Sequence, residues 1–342
     1  MVIKNIFKTI KIMLVILILL LLGCKIPVPV CPKEKDNQLY VVVPDDFANI
    51  QDAINSLPNN GGTVFIKAGN YIITESIHIN KSNVTLKGEQ GTYLKLDDHI
   101  NQPVIRVGTD KEIPVYPTDS IKNINILNIE IDGNKTNQDA EEDVKRKWIM
   151  NNGIDVRMVD NLYIANVKAN NTRSGGIVTS WWCHRIIIEN VYCYENYFDG
   201  IALNASEDVI ITNFFCYENN AAGLSMDNQI KRASFSIGII RNNEDVGIFV
   251  RNSEDLHFNN LIVHSNGSHG CFLSHWEDSP ETTGVKRLFF SNCSFLNNSG
   301  YGVWLASTQQ YSPDNVVASS LFSGNALGQI NGPIDSVNNI FQ

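Results

Sequence analysis

The feature that most constrains this chain is a repeat of about 23 residues that runs from roughly residue 120 to residue 330. Its clearest copies are Asn190-Val-Tyr-Cys-Tyr-Glu-Asn196 and Asn213-Phe-Phe-Cys-Tyr-Glu-Asn219. The frame is Asn or Ser, two alternating inward residues, then Asn six places on. It starts at Asn128, Asn166, Asn190, Asn213, Ser236, Asn260, Asn292 and Ser319, and only at Thr172 is the closing residue not Asn. A Gly-led alternation follows at Gly153, Gly176, Gly200, Gly223, Gly247, Gly270 and Gly302, and a third, such as Ile186-Ile-Ile or Leu256-His-Phe, closes the unit. Three short period-2 segments per unit, with no helical period between them, call for three strands per coil. A hairpin meander needs a two-residue turn at each reversal, and those turns are missing. The expected architecture is an all-β parallel solenoid.

Stacking such coils brings equivalent positions about 4.8 Å apart. The repeated asparagine then forms a ladder down one turn, suited by its tolerance of left-handed backbone and by an amide that can bond the next coil's Asn. The same stacking sets Cys193 on Cys216 and lines up Ile154, Ile177, Ile201, Leu224 and Ile248 in the core. A first coil exposes a sheet edge, which needs a cover. Apolar residues at Phe47, Ile50, Ala53, Ile54 and Leu57 have helical spacing and supply a capping helix. Asn59-Asn-Gly-Gly62 then turns the chain into a strand over 63–67.

Ile50-Gln-Asp-Ala-Ile54, Gly61-Gly-Thr-Val-Phe-Ile-Lys-Ala-Gly-Asn-Tyr71 and Ile131-Asp-Gly-Asn134 resemble the pectate-lyase-like superfamily, over about residues 40–340. The resemblance implies a right-handed parallel β-helix with an N-terminal capping helix, and a polysaccharide as partner. These motifs cap and turn the chain and carry no catalysis.

Lys4, Lys8 and Lys11 precede an apolar run from Ile12 to Leu22, the layout of a secretory signal. Leu21-Leu22-Gly23-Cys24 resembles the bacterial lipobox, although Leu22 is bulkier than the residue usual before Gly. The expected divisions are a signal peptide over 1–23, lipidation at Cys24 and a proline-containing tether over 24–38. The β-helix follows over 39–342, as a cell-envelope lipoprotein whose oligomeric state stays open. Without residues 1–23 the chain keeps 24 of its 27 basic residues against 36 acids, a net charge of −12. That balance argues against nucleic acid. Cys183, Cys193, Cys216, Cys271 and Cys293 contain no CxxC pair and sit mostly on inward positions, so buried thiols are expected.

Insertions near 135–149, 275–284 and 307–313 flank the Gly-led strand and are expected to wall a groove. The strand's outward positions, second and fourth after Gly, read Asp155/Arg157, Val178/Ser180, Ala202/Asn204, Ser225/Asp227, Phe249/Arg251, Phe272/Ser274 and Trp304/Ala306. Asn204, Asp227 and Arg251 should stand in a row, near the Trp181-Trp182 turn. Asp227 can act as a base or hold Ca²⁺ while Arg251 neutralises a uronate; an exposed ion pair is the structural alternative.

Asp199, in Asn196-Tyr-Phe-Asp-Gly200, resembles both the Asn-Thr-Asp-Gly of polygalacturonase-like hydrolases and the Tyr-Gly-Phe-Asp of mannuronan epimerases. The hydrolases' second Asp pair is replaced by Ala221-Ala222, and the epimerases' Pro-His-Asp by Gly200-Ile201-Ala202. Ser268-His-Gly270 resembles the hydrolases' Gly-His-Gly, but three coils on, which puts His269 about 14 Å from Asp199. His264, His269 and His275, with Trp276, could supply a base and an aromatic platform. Tyr192, Tyr194, Phe215 and Tyr217 form a second outward aromatic column. The acidic pairs Asp45-Asp46, Asp97-Asp98 and Glu141-Glu142-Asp143 are candidate Ca²⁺ ligands or solvated charge. The leading expectation is a polysaccharide lyase; a glycoside hydrolase and a non-catalytic carbohydrate-binding or adhesive β-helix are the alternatives.

Overall fold

The computed structural model describes residues 39–342. The expected signal peptide, Cys24 and the tether lie outside the described residues. Two parallel sheets wind around one core: 17 strands join into one sheet and 10 into the other. Short strands, among them Ile177–Ser180, Ile201–Asn204, Leu224–Asp227 and Ile248–Arg251, build the second sheet from the Gly-led segments. In the central units the other two segments run on as one long strand, as in Cys183–Tyr194, Ser206–Tyr217, Lys231–Arg241 and Glu254–His264, and towards the C-terminus they separate, as in Lys286–Ser291 and Ser294–Leu296. Each long strand bends at a left-handed residue, so three sides are made from two hydrogen-bonded ribbons.

Two sets of asparagines divide the labour expected of one ladder. Asn128, Asn166, Asn190, Asn213, Asn260 and Asn292 take positive φ at the bend. Asn196, Asn219, Asn243, Asn266, Asn298 and Asn325 are buried with ordinary backbone. The first five donate Nδ2 to the next Oδ1 at 2.9 Å, Asn325 donates to Gln329 Oε1 at 2.7 Å, each also donates to a core-strand carbonyl, and Thr172 Oγ1 closes the row on Asn196 at 2.9 Å. The repeated glycines follow from this ladder. A Cβ on Gly200 would lie 2.6 Å from the Gly223 carbonyl and 2.9 Å from Asn219 Nδ2.

One coil departs from the expected frame. Ile237 (φ 55°), not Ser236, sits at the bend, and Asn243, not Asn242, joins the ladder. The slip comes from one extra residue in the preceding corner, where Asn228 and Gln229 are both left-handed while Ala205 alone turns the coil before.

The core columns stack in register as expected, with Ile154, Ile177, Ile201, Leu224 and Ile248 buried and Cys193 opposite Cys216. Each such side chain contributes about 1.5–3 kcal/mol of burial. The five cysteines among the described residues are buried free thiols. The cap is the helix Ile50–Ser56, N-capped by Asn49, whose side chain accepts from the Asp52 N–H at 2.7 Å. Its Gln51 amide pairs with the edge strand Ile77–Ile79, accepting from His78 N–H at 2.7 Å and donating to His78 O at 3.2 Å. The open main chain of that edge is satisfied by one side chain.

Candidate glycan-binding face

The outward side of the short-strand sheet forms a floor whose character changes along the axis. Val178, Ala202 and Ser225 stand on successive rungs and are followed by Phe249, Phe272 and Trp304. The parallel row Ser180, Asn204, Asp227, Arg251 and Ser274 includes the three residues expected to stand together. Arg251 donates Nε to Asp227 Oδ1 at 2.9 Å and Nη2 to Oδ2 at 2.5 Å. Its guanidinium also lies 5.4 Å from the Phe249 ring centroid and 5.3 Å from that of Trp276. Two of its donor groups are therefore engaged by Asp227, and two aromatic rings lie close to it.

At the N-terminal end the expectation of an open floor is corrected. Asp155 and Arg157 are 3% and 1% exposed: Asn152, at the end of the insertion, donates to Asp155 at 2.8 Å, and Arg157 donates to the Lys111 carbonyl of the loop at 109–120 at 3.0 Å. Arg106 faces Asp143 at 3.7 Å, and Arg146 pairs with Asp143 and with Asp110 at 3.4 and 3.0 Å. Burial pushes the Asp155 carboxyl up to about 6. This charged layer is sealed under its insertion and does not belong to the groove.

The groove opens at the corner that follows the short strands. Loops at 109–120, 275–284 and 306–315 project there, whereas residues 181–182, 205, 228–229 and 252 turn the chain tightly between the first two. Two of these corners are doubled. Trp181 and Trp182 have φ of 58° and 63°, and Asn228 and Gln229 have 64° and 68°. Bulky residues adopt this region at a cost of order 1 kcal/mol each, and such outliers cluster at functional sites.

Trp181, Trp182, Ser180, Asn204, Ala205, Asn228 and Gln229 line a cleft of about 330 Å³. Beyond the Asn228-Gln229 step, Trp276, Asn252, Thr282, Thr283, Lys231, Glu254 and Lys286 border a second cleft of about 400 Å³. Trp181, Trp182 and Trp276 are 38%, 38% and 40% exposed. Arg157 backs Trp181 at 5.9 Å as Arg251 backs Trp276. Thr283 fixes Trp276 by accepting its backbone N–H at 2.8 Å. Asn228, Gln229 and Asn252 were missed from the sequence. The signal was present in the change between 23- and 24-residue coil spacing, which marks where a corner gains a residue.

The other expected site residues are dispersed. Asp199 sits before Gly200, accepting from Ala222 N–H at 2.9 Å and from Ser225; burial, with Asp227 and Asp245 nearby, pushes it up to about 6. His269 lies three rungs away, about 14 Å at the β spacing. Burial lowers its pKa, and its Nδ1 accepts the Tyr301 N–H at 2.9 Å within a cluster with Phe272 and Trp304. His275 stands at the start of its insertion, and His264 ends a long strand on the other sheet, so the three histidines do not converge. In the second aromatic column Tyr192 stacks on Phe215 at 4.7 Å and 0°, and Tyr194 on Tyr217 at 4.9 Å and 1°. Those rings cover one another's faces.

The acidic pairs are engaged elsewhere: Asp45 with Lys67, Asp98 with Asn134 and Asn137, Asp143 with Arg146. Among the described residues no set of three or more acidic, histidine or cysteine side chains is arranged to hold a metal ion.

The family described as the right-handed beta helix region matches residues 152–322, half of the chain. The chain belongs to this family. No curated protein matches its sequence. Among solved structures it is similar to the A-module of the Azotobacter vinelandii mannuronan C-5 epimerase AlgE4, at 17% identity over 87% of this chain and 93% of that one, TM-score 0.58. It is also similar to the Streptococcus pneumoniae surface protein and adhesin PfbA, at 15% over 85% and 92%, TM-score 0.60. At these identities the likeness is one of fold.

Proposed function

We propose that the protein is a polysaccharide-binding β-helix of the cell exterior, tethered through Cys24, which receives a glycan along the corner between the loops at 109–120 and 275–284. The observation that carries this reading is the pair of clefts with Trp181, Trp182 and Trp276 half-exposed beside the amides of Asn204, Asn228, Gln229 and Asn252. Indole faces stack on sugar rings while neighbouring amides bond their hydroxyls. One structural neighbour acts on mannuronan and another is an adhesin, which is compatible with a polysaccharide partner.

β-Elimination would ask Asp227 or a histidine for a base and Arg251 for a free cation. The bidentate pairing of Asp227 with Arg251 and the separation of the histidines favour binding over that reaction. Hydrolysis is a second reading, supported by Asp199: burial raises its carboxyl to about 6, which suits a general acid, and Asp227 on the adjacent rung is a second carboxyl nearby. The test is a polysaccharide panel with and without Ca²⁺, read for binding, new reducing ends and unsaturated ends. Binding with neither kind of end supports the proposal. Reducing ends alone transfer it to Asp199, and unsaturated ends restore the lyase.

A further inference from the structure

Resting on that reading, we infer that the cleft at Trp181 and Trp182 takes an uncharged sugar, so that the polysaccharide is neutral over this stretch and not a polyuronate. None of the seven residues lining this cleft is ionisable. A uronate carboxylate bound there would lose water and gain only amide and hydroxyl partners, a poor exchange for a charge. A neutral ring loses little, since its hydroxyls bond amide donors and acceptors and its C–H face meets indole.

Most of the charged groups nearby are engaged by one another, while Lys286 borders only the second cleft. Asp227 and Arg251 are paired, Lys231 faces Glu254 at 3.7 Å, and Glu254 also meets Arg287 at 2.9 Å. Arg157, the cation behind Trp181, is 1% exposed, so it meets the indole from beneath and cannot reach a ligand on the open face. Acidic residues outnumber basic ones in the chain, which adds a field that repels polyanions. Along the axis, the Trp181-Trp182 corner hydrogen-bonds to Ala205, Ala205 to Asn228, Gln229 to Asn252, and Asn252 to Thr283. The two tryptophan stations are thus four rungs apart, about 19 Å, so several consecutive sugars lie between them, and the uncharged part is the Trp181-Trp182 cleft, ahead of Lys231, Glu254 and Lys286 in the second.

The experiment titrates the purified protein with matched neutral and uronate oligosaccharides, following tryptophan fluorescence at low and high salt. The expected result is binding of a neutral series that salt leaves unchanged and that the Trp181→Ala, Trp182→Ala double variant weakens about tenfold or more. Tyr217→Ala, on the other sheet, keeps wild-type affinity, and far-ultraviolet circular dichroism checks that each variant folds. Binding of uronate oligosaccharides alone, weakened by salt, overturns this inference while leaving the glycan-binding reading in place. Neutral binding unaffected by the double variant overturns the assignment of the cleft, and failure to bind any glycan overturns the functional reading itself.

Discussion

Arg251 grips both carboxylate oxygens of Asp227 from the next rung, at 2.9 and 2.5 Å, and the same guanidinium lies 5.3 Å from the Trp276 ring centroid. The pair props an aromatic platform. Asp227→Asn removes the charge-assisted bonds from a half-buried arginine and should cost about 1–2 kcal/mol after solvent screening. Urea unfolding checks it, with the midpoint falling at unchanged slope.

The buried ladder should dominate the exposed one. Asn219→Ala removes the acceptor of the Asn196 N–H and Nδ2 and the amide donor to the Cys193 carbonyl and Asn243 Oδ1, all in the core. A loss of about 2–4 kcal/mol is expected, against under ~1 kcal/mol for Asn190→Ala at the exposed bend. Equal midpoints for the two variants in denaturant would contradict the division of labour.

Ile237 occupies a left-handed bend position and is 59% exposed. A β-branched residue is strained there, so Ile237→Asn should stabilise the protein by about 1 kcal/mol. Thermal unfolding would show a rise of a few degrees, and a fall would mean that Ile237 makes a contact worth more than its strain.

Asp199 gives a pH signature with a definite sign. Its folded pKa, about 6, lies above the unfolded value of about 3.9. The folded state therefore binds the extra proton, and stability falls as pH rises from about 4 through 6. Asp199→Asn should be more stable than wild type by about 1–3 kcal/mol above this window and equal to it below. Denaturation at the two pH extremes decides, and a difference independent of pH would contradict the assignment.

Much of the fold was legible because solenoid coils repeat their reasons. Cys193 over Cys216, the glycines under the ladder and the helix over the first edge each follow from stacking at one spacing. What escaped was whatever depends on a single added residue or on a distant loop. Gln229 shifts one coil's frame, so Ser236 looked like a bend that Ile237 makes. Asp155 and Arg157 looked outward, and their burial depends on where the segments at 109–120 and 133–152 land, which strand periodicity does not encode. Asn204, Asp227 and Arg251 were placed in a row from spacing alone. That the arginine would be shared between Asp227, Phe249 and Trp276 depends on rotamers and on the loop at 275–284.

The measurement that bears most directly on the central claim is calorimetric titration of the purified protein with the glycan that binds best, repeated on Trp276→Ala and on the Trp181→Ala, Trp182→Ala pair. The account predicts that each set weakens binding about tenfold or more, 1.4 kcal/mol per factor of ten, with the melting temperature little changed. Undiminished affinity after both platforms are removed, in variants shown to be folded, would contradict it.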